Sequence, residues 1–185
     1  MKDELLPPQT DNLPSPPWFY FGDKVVPCIR QVSVENFSVT TLDQVASIAF
    51  DNLLEDIQGR DTPLSAITSL ALELPAEILS KDSFIGYVSD LRGSCIKSLG
   101  ARAILVAELG GTTFIQSFPY DEPHEDENWF GQVFSFERRP NNDSGLPIVP
   151  LPPFTINVTI SVQRRTPEDF VQLTLDSIDL TADRG

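Results

Sequence analysis

Apolar and polar positions along the 185-residue chain change their period as it proceeds, and the changes divide it into three stretches. From Val25 to Thr40 the β-branched residues Val32, Val34 and Val39 alternate partly with polar neighbours, which predicts one strand with an irregularity near Asn36. At Thr41 the spacing becomes helical. Thr41 and Gln44 form a capping-box pattern, and Leu42, Val45, Ala49, Leu53 and Ile57 follow on one helical face until Gly59. Asp61-Thr62-Pro63 reads as a second helix start, leading into Leu64, Ile67, Leu70 and Ala71 and ending at Pro75. A third helix is expected after Asp82, through Phe84, Val88, Leu91 and Cys95 to Leu99, with Gly100 as its stop.

Beyond Gly100 the pattern turns extended. Gly110-Gly111 separates two strand-like runs, Arg102 to Leu109 and Thr112 to Pro119, and both glycines tolerate the positive φ of a tight hairpin. Trp129 to Glu137 alternates imperfectly and predicts a further strand. Phe154 to Arg164 and Phe170 to Leu180 alternate more cleanly, around a turn at Thr166-Pro167-Glu168-Asp169. The expected fold class is therefore α+β: about three helices in the first half, packed on a mainly antiparallel sheet of about five or six strands. No internal repeat at solenoid periods is present.

Proline placement sets the expected domain organisation. Pro7, Pro8, Pro14, Pro16 and Pro17 make residues 1–17 an extended arm, followed by a single domain over 18–185. Trp18-Phe19-Tyr20-Phe21 directly follows the arm and carries too much apolar area to leave in water. The cluster either pins the arm to its own domain or docks on a neighbouring subunit. A long loop at 139–153 is apolar as well as extended, with Leu146, Ile148, Val149 and Leu151 among its prolines. Such a segment suits laying onto a partner, so the expected partner-binding residues are Trp18, Phe19, Tyr20, Phe21, Leu146, Ile148, Val149 and Leu151.

Charge and chemistry narrow the function classes. Thirteen basic against 27 acidic residues give a formal charge of −14, which repels phosphate backbones and anionic membranes. The only basic clusters are the pairs Arg138-Arg139 and Arg164-Arg165, which would form an anion or partner site if neighbouring strands brought them together. A single histidine, His124, leaves little for serine or cysteine triads. It lies in an acidic stretch, Tyr120 to Asn128, whose Asp121, Glu122, His124 and Asp126 offer oxygen and nitrogen ligands without the spacing of an EF-hand. The bland alternative is a solvated loop. Cys28 and Cys95 lack metal-site spacing and read as reduced thiols, one disulfide being the alternative. No signal-peptide pattern or membrane-length apolar run is seen, which predicts a cytoplasmic protein.

No catalytic residues, metal site or cofactor are assigned from the sequence. The expectation is a non-enzymatic structural subunit of a multi-protein, homo-oligomeric assembly, with a virion component such as a phage neck or tail protein as the finer version. The alternative is a cytoplasmic module binding a small ligand or regulatory partner in a cleft.

Overall fold

Extended backbone with inward and outward side chains runs through both halves of the chain, as along Phe154–Arg164, where Phe154, Ile156, Val158, Ile160, Val162 and Arg164 all point inward. A computed structural model describes residues 19–22, 26–27, 37–51, 53–78, 84–138 and 149–184. Among them are fifteen strands and no helix. In chain order these are β1 (Phe19–Phe21), β2 (Val26–Pro27), β3 (Phe37–Leu42), β4 (Val45–Phe50), β5 (Leu54–Ile57), β6 (Ser65–Leu74), β7 (Ala76–Ile78) and β8 (Phe84–Lys97). There follow β9 (Ala101–Leu109), β10 (Thr112–Phe118), β11 (His124–Arg138), β12 (Val149–Pro150), β13 (Phe154–Arg164), β14 (Val171–Thr174) and β15 (Ser177–Arg184).

Twelve of the strands fall in two antiparallel sheets. One has the order β10-β9-β13-β6-β2. The other contains β3, β4, β15, β8, β14, β5 and β11, but it has only five rows, because two of them are interrupted. β4 pairs β15 while β5 pairs β14, and β8 pairs β15 over Ile85 to Arg92 and β14 over Cys95 to Lys97. Backbone bonds from Phe50 N–H to Asp176 O, Leu175 N–H to Leu53 O and Asp176 N–H to Arg92 O stitch the break. The rows therefore run β3, β4/β5, β15/β14, β8 and β11. A third, small sheet, β1-β7-β12, completes the set.

The inward faces of the two large sheets share one core. Ile85, Tyr87, Leu91 and Cys95 of β8 belong to the same buried cluster as Leu105 and Ala107 of β9 and Ile156 and Ile160 of β13. This is a face-to-face β-sandwich. Glycines set how closely it closes at the β10/β11 border: a Cβ on Gly131 would lie 2.2 Å from the ring of Phe114, and one on Gly93 would lie 2.5 Å from Trp129. The Phe114 and Trp129 rings stack there at 6.4 Å.

The α+β expectation is overturned, since each of the three expected helices is sheet. The first, Thr41 to Gly59, is the end of β3, a two-residue turn, β4 and β5. Asp43 adopts φ 51° in that turn, a conformation that Asp tolerates better than most side chains. Ala46, Ile48 and Phe50 are buried while Val45 and Ala49 face outward, so the i, i+4 series of apolar residues straddles both faces of a strand. The second, Asp61 to Pro75, is a loop and β6, and the third, Asp82 to Leu99, is for the most part β8. In β8 the inward positions include Ser89, Gly93 and Lys97, and these three non-apolar residues hide the period of two. The hairpin at Gly110-Gly111, with φ of 53° and 80°, and the strands at Trp129 to Glu137 and Phe154 to Arg164 are as expected. Phe170 to Leu180 is split into β14 and β15, and the expected strand from Val25 to Thr40 is represented by β2 and β3. Residues 1–18, with the expected arm, and Asn36 lie outside the described residues.

Candidate functional site

The longest strand, β11, carries the most unusual surface. Its odd-numbered residues Trp129, Val133 and Ser135 point into the core, while Phe130, Phe134 and Phe136 stand outward, 59%, 57% and 73% exposed. Phe134 and Phe136 lie roughly 7 Å apart along the strand. Together the three rings leave roughly 380 Å² of aromatic surface in water, taking about 200 Å² for each whole side chain. That matches the size of a patch with a job. β11 pairs with β8 and, among the described residues, with no other strand, so that no described strand occupies its second backbone edge.

Register extends this stripe across the outward face. Phe134 neighbours Val88, then Thr181, Val45 and Leu42, an apolar row with Leu42 and Val45 exposed at its far end. The adjacent row is polar: Gln132, Asp90, Asp179, Ser47 and Thr40. Asp90 and Asp179 stand directly opposite each other, an arrangement that costs stability unless donors intervene. They do so here: Gln132 Nε2 donates to Asp90 Oδ1 at 2.7 Å, Ser47 Oγ donates to Asp179 Oδ1 at 2.6 Å, and Arg92 Nη2 lies 3.8 Å from Asp179 Oδ2.

At one end of the sandwich the sheets part into a cleft of about 330 Å³, lined by Tyr87, Gly110, Phe136, Glu137, Pro152, Pro153, Phe154 and Thr155. β11 delivers Glu137 to this mouth on its inward parity. The Tyr87 hydroxyl donates to Glu137 Oε2 at 3.3 Å. Burial pushes the Glu137 carboxyl above its usual range, and the Tyr87 hydrogen bond offsets that only in part. Burial, together with the Glu137 charge and hydrogen bond, likewise raises the Tyr87 phenol. The floor is aromatic: Phe154 packs on Tyr87 at 4.8 Å, and Phe19 and Phe21 approach the same ring at 6.0 and 6.3 Å. Beneath Gly110, where an added Cβ would lie 2.8 Å from it, the buried Ser135 Oγ has no hydrogen-bond partner among the described residues.

The opposite end is built differently. Arg164, 2% exposed, donates to the carbonyls of Pro167, Asp169, Gly59 and Thr62 and to Thr62 Oγ1, at 2.8 to 3.0 Å. Its guanidinium thus ties the 58–64 and 165–170 loops together. Asp169 accepts from Ser98 Oγ and from Thr166 N and Oγ1 at 2.8 to 3.1 Å. Burial alone would raise its carboxyl, but these bonds and one from the Gly100 backbone hold it below the usual range. Lys97 is buried with its ammonium on the Glu122 carbonyl, and burial pulls it below the ordinary lysine range. Arg165 stacks over Tyr120 at 4.3 Å and pairs with Asp121 at 3.6 Å.

The described parts of the two expected partner-binding stretches meet in the small sheet, on either side of β7, while the other residues singled out by sequence lie apart. Phe19 and Phe21 lie inside the chain's own core, and the Tyr20 backbone pairs with Glu77. Val149 pairs with Ile78, and Leu151 is half-buried against the core. Trp18, Leu146 and Ile148 lie outside the described residues. Arg138 and Arg164 stand at opposite ends of the sandwich, the first opposite Phe84 and the second opposite Ala101, and Arg139 lies outside the described residues. The acidic stretch is partly strand, with His124 opposite Lys97. Asp121 and Glu122 are exposed, and no group of three potential metal ligands occurs among the described residues. Cys95 is buried, and Cys28 lies outside the described residues. The outward phenylalanines, Glu137 and Tyr87 were not singled out, although apolar residues on both parities of Trp129 to Phe136 signal a strand with two apolar faces.

No known family model matches the chain, and no curated protein matches it. Solved structures of slight likeness include TmCBM61 in complex with β-1,4-galactotriose, at 13% identity and TM-score 0.28, covering 88% of each chain. Infectious bursal disease virus Gx strain gives 14% identity and TM-score 0.40 over 85% of this chain and 37% of that one. The enzymatically active domain of bacteriophage CBA120 tailspike protein 4 gives 11% identity and TM-score 0.24, over 78% of this chain and 19% of that one. The chain thus spans well under half of the two viral chains, and TM-scores below 0.5 assign neither a fold family nor a function.

Proposed function

We propose that this chain is a non-enzymatic assembly subunit that associates with further copies of itself through β11 and the outward face beside it. The observation that carries the proposal is the stripe of Phe130, Phe134 and Phe136 on a 15-residue strand whose second edge has no strand partner among the described residues. A second β11 running antiparallel would satisfy the open backbone groups and set its own outward rings beside these on one extended face. The single histidine of the sequence supports the non-enzymatic part.

Within this reading, a component of a virus particle such as a phage neck or tail ring is the finer version. Its support is the composition of residues 1–17 and 139–153, proline-rich and in the second case apolar, suited to reaching across subunit boundaries. Light scattering on the full chain and on the Phe130→Ser/Phe134→Ser double variant tests the association. A defined oligomer that the variant reduces to monomer is expected; a native chain that stays monomeric at high concentration contradicts it.

A further inference from the structure

We propose that the cleft at the mouth of the sandwich is a binding site for an organic cation, with Glu137 as the counter-charge and Tyr87, Phe136 and Phe154 as its walls. The inference does not rest on self-association, because the cleft lies between the two sheets of one chain.

Three observations converge. The first is shape and lining: a cleft of about 330 Å³ suits a small group, and the lining is aromatic and proline-rich with one acid. The second is an uncompensated charge. Glu137 receives one hydrogen bond, from Tyr87, and no described basic group faces it: β8 contributes Tyr87, the β9–β10 turn Gly110, the 151–153 segment prolines, and β13 Phe154 and Thr155. Tyr87 is the one titratable group acting on it, and burial holds its carboxyl above the usual range. An anion desolvated in this way gains most from a cation that also hydrogen-bonds. The third is the walls. Aromatic faces, here those of Tyr87, Phe136 and Phe154, attract guanidinium and ammonium groups and repel anions.

The chemistry fits a guanidinium or alkylammonium group, either on a free small molecule or at the tip of an arginine or lysine of another protein. Anionic sugars, phosphates and carboxylic acids are disfavoured by the same groups.

Chemical-shift titration of the full chain with N-methylguanidinium tests the assignment, with neutral N-methylurea as its isostere and salt sufficient to screen surface charge. The cation should shift the Gly110, Phe136 and Glu137 resonances and bind at least tenfold more tightly than the urea. Glu137→Gln, nearly isosteric, should lose at least tenfold in affinity, and Asp121→Asn, a remote exposed carboxylate, should lose none. On the native chain, binding should strengthen as pH rises through the Glu137 titration. Equal binding of urea and cation, an unaffected Glu137→Gln variant, or shifts spread over the acidic surface would overturn the proposal. Blocked N-acetylarginine methylamide separates the two sources: binding tighter than N-methylguanidinium indicates a protein side chain with its backbone, and weaker binding indicates a free small cation.

Discussion

The two ends of the sandwich handle buried charge in opposite ways. At one end Arg164 is surrounded by backbone acceptors and Asp169 by donors, so each charge is met within the chain and two loops are fixed as a result. At the other, Glu137 has one hydrogen bond and an open cleft in front of it. A charge met by several partners, as Arg164 is at both Nη atoms though not at Nε, is part of the scaffold, whereas a half-buried charge left with one partner is held ready for something else. Phe136 joins that open end to the exposed stripe of β11, so the cleft and the outward face form one continuous region.

The largest expected effect comes from breaking the more fully bonded end. Arg164→Met leaves four backbone carbonyls short of a donor and should cost about 3 kcal/mol or more in denaturant unfolding. A variant as stable as the parent would mean that the loops hold without it. Gly100→Ala should cost somewhat less, about 1–3 kcal/mol, because the new Cβ would sit 2.1 Å from Asp169 Oδ2 and push the carboxylate off its donors.

The two carboxylates should then show opposite pH signatures. Asp169 is held below its ordinary 3.8, so its contribution is present above that pH and is lost as pH falls through the lower folded value. Asp169→Asn should flatten the acid limb of the stability profile. Glu137 is held above its ordinary 4.5, so stability falls as pH rises from 4.5 through the raised folded value. Glu137→Gln should therefore melt slightly higher than the parent at neutral pH and no higher at acid pH. This is the smallest effect, and thermal melts across pH read it; a variant that melts lower at neutral pH would show that the carboxylate is already satisfied.

Legibility of the sequence followed the simplicity of each strand's surroundings. β13 was readable because every inward position from Phe154 to Val162 is apolar and its neighbours are mostly polar. The Gly110-Gly111 hairpin was readable because its turn needs positive φ at both positions. β8 was not, since Ser89, Gly93 and Lys97 face inward while Val88 and the outward face carry apolar area of their own, and the residue series Phe84, Val88, Leu91, Cys95 then mimics a helical stripe. β4 failed similarly: Val45 and Ala49, taken as a helical face, point out of the sheet. The candidate sites were harder still. Glu137 is one of 27 acidic residues, and only the fold, by placing it beside Tyr87 and facing Phe154, separates it from the rest. The outward face was hidden because Phe130, Phe134 and Phe136 share the strand with inward Trp129 and Val133, so the alternation along Trp129 to Glu137 reads as imperfect and not as two apolar faces.

Amide hydrogen exchange along β11 of the native chain, followed as a function of protein concentration, tests the association surface most directly. If β11 is the interface, amides pointing away from β8 should be protected at high concentration and should lose that protection on dilution, while those bonded to β8 stay protected throughout. Fast exchange of the outer amides at every concentration, in a sample that light scattering shows to be oligomeric, would place the interface elsewhere and contradict the account.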